Sequence, residues 1–194
     1  MFALPKDRMP EAEVSLRLAF HIIKNKITNS PIHVAIDGAQ VKVKNEIIFD
    51  PEMFLQENGW LKVEDDLKGQ GLYKNSEYLN TIIIHSHPGE GDLITELMDG
   101  TNIHVECKKG PIMKSTSSAE YRLIREALGQ LMTVDEENPR TIYCIAVPGT
   151  DKFEELAVRW RKAPLIKRNN INIVTVYRTG EVKGFLKLDY EMYR

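Results

Sequence analysis

GDLITELMDGTNIHVECK, residues 91 to 108, holds two short apolar runs separated by Met98-Asp99-Gly100-Thr101. Asp-Gly between apolar runs is a strong hairpin signal, so Leu93 to Leu97 and Ile103 to Lys108 are expected to pair as antiparallel strands. Along the second strand the side chains alternate between faces. Ile103, Val105 and Cys107 point one way, and His104, Glu106 and Lys108 the other. One face is apolar and the other chemical, with Glu106 and Lys108 roughly 7 Å apart along the strand. Asp92 opens the first strand, with thirteen residues between it and Glu106. In such a hairpin it falls near the far end of its strand, and twist or a bulge is expected to bring the two acids together. If they converge, they make a hard, oxygen-rich site suited to Mg²⁺ or Mn²⁺.

Moving toward the C-terminus, Gly110-Pro111 breaks the chain, and Ser117-x-x-Glu120 is a capping box for a helix to about Thr133. Tyr121, Ile124, Ala127, Leu128 and Leu131 fall at helical spacing as its core face, with Glu126 and Gln130 on a flank. Thr141 to Val147 reads as a continuous apolar strand, Asp151 to Trp160 as an amphipathic helix and Ile171 to Tyr177 as a strand. Strand, helix, strand predicts parallel neighbours on one sheet. A final hairpin around Thr179-Gly180 closes the chain.

Toward the N-terminus, Pro10 to Lys26 reads as a helix, and Ile32 to Ile36 and Val41 to Phe49 as strands around Asp37-Gly38. A short helix follows Asp50-Pro51, with Asp50 as cap and Pro51 in its first turn. Lys68 to Asn80, rich in Gly, Lys and Asn, reads as a loop or a weak edge.

The chain has 194 residues and is 42% hydrophobic, enough for one well-buried domain that removes about 70% of its unfolded surface from water. Cys107 and Cys144 lie in apolar strand-like runs without metal spacing and read as buried reduced thiols. No run approaches the length of a membrane span, and MFALPKDRMPEAE has no apolar leader core, so a cytoplasmic protein without membrane contact is expected. The net charge of −2 describes no polycation, but its distribution is uneven. Glu46 to Asp66 carries seven acids and one lysine, whereas Arg159 to Arg168 carries five basic residues and no acid. His104 to Arg125 adds Lys108, Lys109, Lys114, Arg122 and Arg125 against Glu106 and Glu120. Such segments suit a phosphate backbone.

Asp92, then Glu106-x-Lys108 at the end of a strand, then a helix carrying Glu126-Ala127-Leu128-Gly129-Gln130-Leu131, resembles the PD-(D/E)XK nuclease superfamily, most nearly its Mrr-like restriction-endonuclease branch. The likeness spans roughly residues 81 to 176, and Gly91 stands where the name-giving proline would be. It implies an α/β fold: a restriction endonuclease-like core with a central mixed β-sheet flanked by helices. The expected organisation is a single domain over 1–194 with its core at about 81–177, an N-terminal helix at 10–26, and an inserted or dimerisation segment at 32–80.

The resemblance implies metal-dependent hydrolysis of DNA phosphodiester bonds, with a homodimer as one route to specificity. Asp92, Glu106 and the main-chain carbonyl of Cys107 would hold Mg²⁺ or Mn²⁺, while Lys108 would position or help deprotonate the attacking water. Gln130 would orient a water or touch DNA, and Glu11 or Glu13 of the first helix would approach the metals. Lys109, Lys114, Arg122 and His87 are the expected nucleic-acid contacts. Two rival readings stand beside this one. A catalytically silent nucleic-acid-binding or assembly module on the same fold is the first. The second is a JAMM-like zinc peptidase, which His85-Ser86-His87-Pro88 resembles; that motif wants an aspartate where Met98 stands, one position before Asp99.

Overall fold

The computed structural model describes residues 4–37, 41–43, 46–63, 69–87, 91–113, 119–134 and 139–185. Its first half runs β1 (Arg8–Met9), α1 (Glu11–Lys24), β2 (Ile32–Ala35), β3 (Val41–Val43), β4 (Glu46–Phe49), α2 (Pro51–Glu57), β5 (Leu61–Lys62), β6 (Gly71–Lys74) and β7 (Thr81–His85). The second half runs β8 (Leu93–Glu96), β9 (Asn102–Cys107), β10 (Gly110–Pro111), α3 (Ala119–Leu131), β11 (Thr141–Pro148), α4 (Asp151–Arg161), α5 (Pro164–Arg168), β12 (Ile171–Val176) and β13 (Val182–Lys183).

The fold is α/β, with a mixed nine-stranded sheet in the order β13-β12-β11-β9-β8-β2-β7-β6-β5 and helices on its faces. The β8–β9 hairpin forms as its sequence predicts: Leu93 faces Val105 and Glu96 faces Asn102. Its turn is closed by Leu97 N to Thr101 O at 2.7 Å and by Thr101 N to Asp99 Oδ1 at 2.9 Å, with Gly100 at φ +80°. β9, β11 and β12 are parallel neighbours, joined by α3 and then by α4 with α5.

The alternation of the strands sorts the core into two layers. Ile103, Val105, Cys107, Cys144 and Ala146 pack with the apolar stripe of α1 on one face. Ile145, Val147, Ile171 and Ile173 pack on the other under Ile124 and Ala127 of α3, Phe153 and Leu156 of α4, and Ile166 of α5. Cys107 and Cys144 are buried and unpaired, and burial pushes the Cys144 thiol up to about 12.

Several expectations need correction. Residues 32–80 are not set apart from the sheet: β2 lies between β8 and β7, and β6 extends the sheet beyond β7. Among the described residues of this segment, the β3–β4 pair alone forms a sheet of its own. Tyr121 is 41% exposed instead of core, because its ring packs edge-on against Trp160 at the surface between α3 and α4. Gly110-Pro111 does more than break the chain, since it pairs with Arg8–Met9 and ties the N-terminal segment beside the end of β9. Asp50 caps α2 as predicted, its Oδ1 accepting from Met53 N at 3.0 Å. α4 is capped by Thr150, whose Oγ1 accepts from Phe153 N. The closing hairpin forms through Thr175–Lys183 and Val176–Val182. Ser117 of the proposed capping box, Gly38 and Lys114 lie outside the described residues.

Candidate active site

Asp92, Glu106 and Lys108 gather at one end of the strands, where β2, β7 and β9 end and β8 begins. Asp92 meets β9 through the pairing register itself. Its N donates to Val105 O at 3.0 Å, and its carboxylate Oδ2 accepts from Cys107 N at 2.7 Å. A side-chain oxygen thus replaces a ladder acceptor, and Asp92 brackets the peptide that carries Glu106. Asp92 lies at the end of β8 away from the turn, as expected, and the correction is that the register itself sets it beside Glu106, with no bulge between β8 and β9.

Glu106, Lys108 and His104 are all buried, at 9%, 4% and 9% exposure. Burying charged groups is costly unless they are paired, and the pairing here is incomplete. His104 Nε2 stands 3.5 Å from Glu106 Oε1 and makes no hydrogen bond. The imidazole is held by Tyr143, the residue paired with it on β11, with ring centroids 5.8 Å apart. On its other side lies Gly91, at φ +76°, where an added Cβ would sit 2.4 Å from Nε2. Gly91 is therefore glycine for two reasons, backbone and ring.

Beyond the end of β9, Lys108 is fixed through its main chain, N donating to Ala146 O at 2.9 Å. Its ammonium lies 3.7 Å from Glu11 Oε2 in the first turn of α1. Glu11 thus joins Asp92, Glu106 and Lys108. The electrostatic result is concentrated on Asp92, whose carboxyl is pushed up to about 7 by burial first and then by the negative charge of Glu11 and Glu106. The Cys107 N–H and Lys108 pull it back only in part. The same burial and carboxylates drive the Cys107 thiol upward.

Glu13 belongs elsewhere. Fully buried, it accepts from Arg17 Nε at 2.8 Å and from Arg178 Nε and Nη2 at 2.9 and 2.8 Å. Arg178 also donates to Pro5 O and Arg8 O, while Arg17 donates to Arg178 O. This network pins α1, the N-terminal segment and the end of β12 together and so sets where Glu11 lands.

Gln130 is not at this end of the strands. It is exposed near the C-terminal end of α3, where the adjoining Leu131 and Met132 line a shallow cleft with Thr141 and Ile171, the first residues of β11 and β12. Thr141 pairs with Asn102, and Ala146 with Cys107. The cleft therefore lies four residues along the strands from Glu106, which pairs with Ile145, about 13 Å at the usual rise per residue. Helical spacing alone did not reveal that the helix runs away from the site. At its near end, Glu120 is 3% exposed and its Oε2 has no hydrogen-bond partner, which a capping-box reading did not anticipate.

Lys109 and Arg122 are exposed, Lys109 directly after Lys108 and Arg122 near the start of α3. His85 and His87 stack with centroids 5.1 Å apart, and His87 N donates to His85 Nδ1. Ala35 pairs with His85 and donates its N–H to Asp92 O, so His85 stands two strand spacings, about 10 Å, from Asp92. Asp99, the acid closest to the zinc-peptidase spacing, lies in the turn at the opposite end of β8. The peptidase arrangement is not formed.

Among the described residues, no three His, Cys, Asp or Glu side chains form a ready metal cage. The donor chemistry nevertheless fits Mg²⁺ or Mn²⁺. Mg²⁺ is commonly held by one or two carboxylates with the remaining positions left to waters and phosphate oxygens. The observation in favour is Asp92, raised by burial and then by two carboxylates that Lys108 offsets only in part. Among the described residues, no helix is long and apolar enough to cross a membrane. No family model, curated protein or solved structure matches this chain.

Proposed function

We propose that this chain is a divalent-cation-dependent phosphodiesterase that hydrolyses DNA, built on a restriction endonuclease-like core. The supporting observation is the Asp92 carboxylate clipped to Cys107 N beside the buried Glu106, with the buried Lys108 and the part-exposed Glu11 completing a charge-crowded group. Carboxylates crowded with a raised pKa are the arrangement that sites binding cations or moving protons use.

Asp92, Glu106 and the Cys107 carbonyl would hold the cation. When bound, Mg²⁺ or Mn²⁺ supplies Lewis-acid neutralisation of the phosphodiester and a more acidic water. The chain's own residues do the rest. Cys107 N–H fixes one oxygen of Asp92 and leaves the other directed to the site. Lys108, a compact charge on a buried stem, stabilises negative charge growing on the phosphoryl group and orients the attacking water. Glu11 holds the Lys108 ammonium at its 3.7 Å contact, while His104 and Gly91 limit how far Glu106 can turn.

The test is cleavage of supercoiled plasmid, linear duplex and single strands with Mg²⁺ or Mn²⁺, run beside Asp92→Ala, Glu106→Gln and Lys108→Ala. The wild type should cut, and each variant should lose about 10²–10³-fold or more in rate. Cleavage left unchanged by Glu106→Gln removes this site from the reaction. No cutting under either metal leaves the fold as a binding or assembly module.

A further inference from the structure

We propose that the outer surface of the α3–α4–α5 layer is a second nucleic-acid contact, a basic ridge that grips the phosphate backbone of a duplex away from the carboxylate site. This proposal deepens the DNA reading above and rests on it for the choice of occupant.

The layer is continuous, since α3 packs on α4 and α4 on α5. On α3 the buried positions are Glu120, Leu123, Ile124, Ala127 and Leu131, which leaves Arg122 and Arg125 on the opposite face, three apart and therefore neighbours. On α4 the buried positions Phe153, Leu156 and Ala157 turn Arg159 and Lys162 outward, and α5 adds Lys167 and Arg168. None of these six cations has an ion pair among the described residues, and all are exposed. Arg161, the one basic residue of that run turned inward, is taken up by Ile173 O and Glu154.

Two details say that the ridge is organised. Arg125 lies over the Tyr121 ring at 5.5 Å, and Tyr121 packs edge-on against Trp160 at 5.4 Å, so aromatic contacts hold the two helices' cations in register. Gly129 sits on the exposed side of α3 with ordinary helical backbone, and an added Cβ there would meet nothing within 4 Å. No turn or close packing calls for glycine, which weakens a helix. A missing side chain beside Arg125 leaves room for another backbone to come close.

Charge complementarity chooses the occupant. The six cations spread along a layer about 20 Å long, given 1.5 Å per residue over the thirteen residues of α3. A duplex offers a line of phosphates of that reach. The described acids Asp50, Glu52 and Glu57 lie on α2 and its cap, just before β5, which is at the other edge of the sheet from β12, so the charge asymmetry orients the protein on a polyanion although the net charge is −2.

The experiment measures binding of a labelled DNA duplex by fluorescence anisotropy in EDTA, where no metal-dependent cutting occurs, across a salt series. A triple variant, Arg125→Gln, Arg159→Gln and Lys162→Gln, should bind about tenfold or more weakly and lower the salt slope by about two to three. Gly129→Leu should also weaken binding while its melting temperature stays at or above that of the wild type, which excludes unfolding as the cause. Wild-type affinity and salt slope in the triple variant overturn the proposal. So does an equal loss of binding when charge is kept, in the double variant Arg125→Lys and Arg159→Lys. Binding of anionic vesicles through these residues with none of duplex overturns it as well. Wild-type hydrolysis of bis(p-nitrophenyl) phosphate with Mn²⁺ separates the two readings. Ridge-dependent binding without hydrolysis rejects the enzyme and keeps the ridge; hydrolysis with binding indifferent to the triple variant rejects the ridge and keeps the enzyme.

Discussion

Glu11 and Glu13 leave the same helix two residues apart and enter opposite electrostatic worlds. Glu13 is fully buried and matched by two guanidinium groups, each of which also has a main-chain carbonyl to donate to. Glu11 is partly exposed and shares one lysine with Asp92 and Glu106, and burial first, then the like charge of Glu11 and Glu106, pushes the Asp92 carboxyl up to about 7. A region built for stability pairs every charge it buries. A region built to receive something leaves charge unbalanced at the place where the visitor belongs.

The largest effect should separate these two glutamates. Glu13→Ala leaves Arg17 and Arg178 without their carboxylate in a buried setting and should cost about 3–5 kcal/mol. Glu11→Ala should change stability by no more than about 0.5 kcal/mol, since its removal also relieves Asp92. Urea unfolding of both variants measures the contrast. Equal losses would mean that the two sites do not differ in kind.

Next comes the pH dependence of the crowded site. Asp92 is held near 7 in the fold against an ordinary 3.8, so the unfolded chain releases its proton first as pH rises. Its favourable contribution is complete below the unfolded value and is lost as pH climbs through about 7. The span corresponds to a loss on the order of 4 kcal/mol by about pH 8.5. Asp92→Asn keeps an oxygen for Cys107 N and removes the charge. It should match the wild type in acid, be the more stable protein in mild alkali, and cut no DNA. An unfolding profile with the same slope in both proteins would remove Asp92 as the source.

A divalent cation should flatten that slope. Mg²⁺ or Mn²⁺ at about 100 times its dissociation constant stabilises a protein that binds it only when folded by about 2.7 kcal/mol. The gain should appear above about pH 7, where Asp92 is ionised, and vanish in Asp92→Asn and Glu106→Gln. A melting temperature indifferent to both ions at every pH would separate the crowding from any cation.

What the sequence disclosed, and what it hid, follows the range of the interactions. Asp99-Gly100, the alternation from Ile103 to Lys108 and the strand-helix-strand run from Thr141 to Val176 are local signals, and each became the element it announced. The entry of β2 between β7 and β8 leaves no local trace, because a strand's partners are chosen by the whole sheet. The Glu13–Arg178 bond spans 165 residues, and a buried glutamate on a helix looks in sequence like a solvated one. Asp92 and Glu106 were legible as types and stand symmetrically about Asp99, so the plain register of the hairpin brings them together where twist or a bulge was expected to be needed. Gln130 failed because helical periodicity gives a face and not a direction along the sheet.

The smallest predicted effect sharpens the comparison within a single hairpin. Gly91 and Gly100 bound the same pair of strands, both with positive φ, at +76° and +80°. At Gly100 an added Cβ meets nothing within 4 Å, so Gly100→Ala should cost only the left-handed backbone, about 1 kcal/mol. At Gly91 the same methyl falls 2.4 Å from His104 Nε2, and the ring is backed by Tyr143. Gly91→Ala should therefore cost about 2 kcal/mol, backbone and packing together. It should also slow cleavage, because the displaced imidazole has Glu106 as its nearest charged neighbour at 3.5 Å, whereas Gly100→Ala should leave cleavage untouched at the far end of the strands. Two alanines with equal penalties, measured by urea unfolding and plasmid nicking, would mean that the ring yields freely and that Gly91 serves the turn of the chain alone.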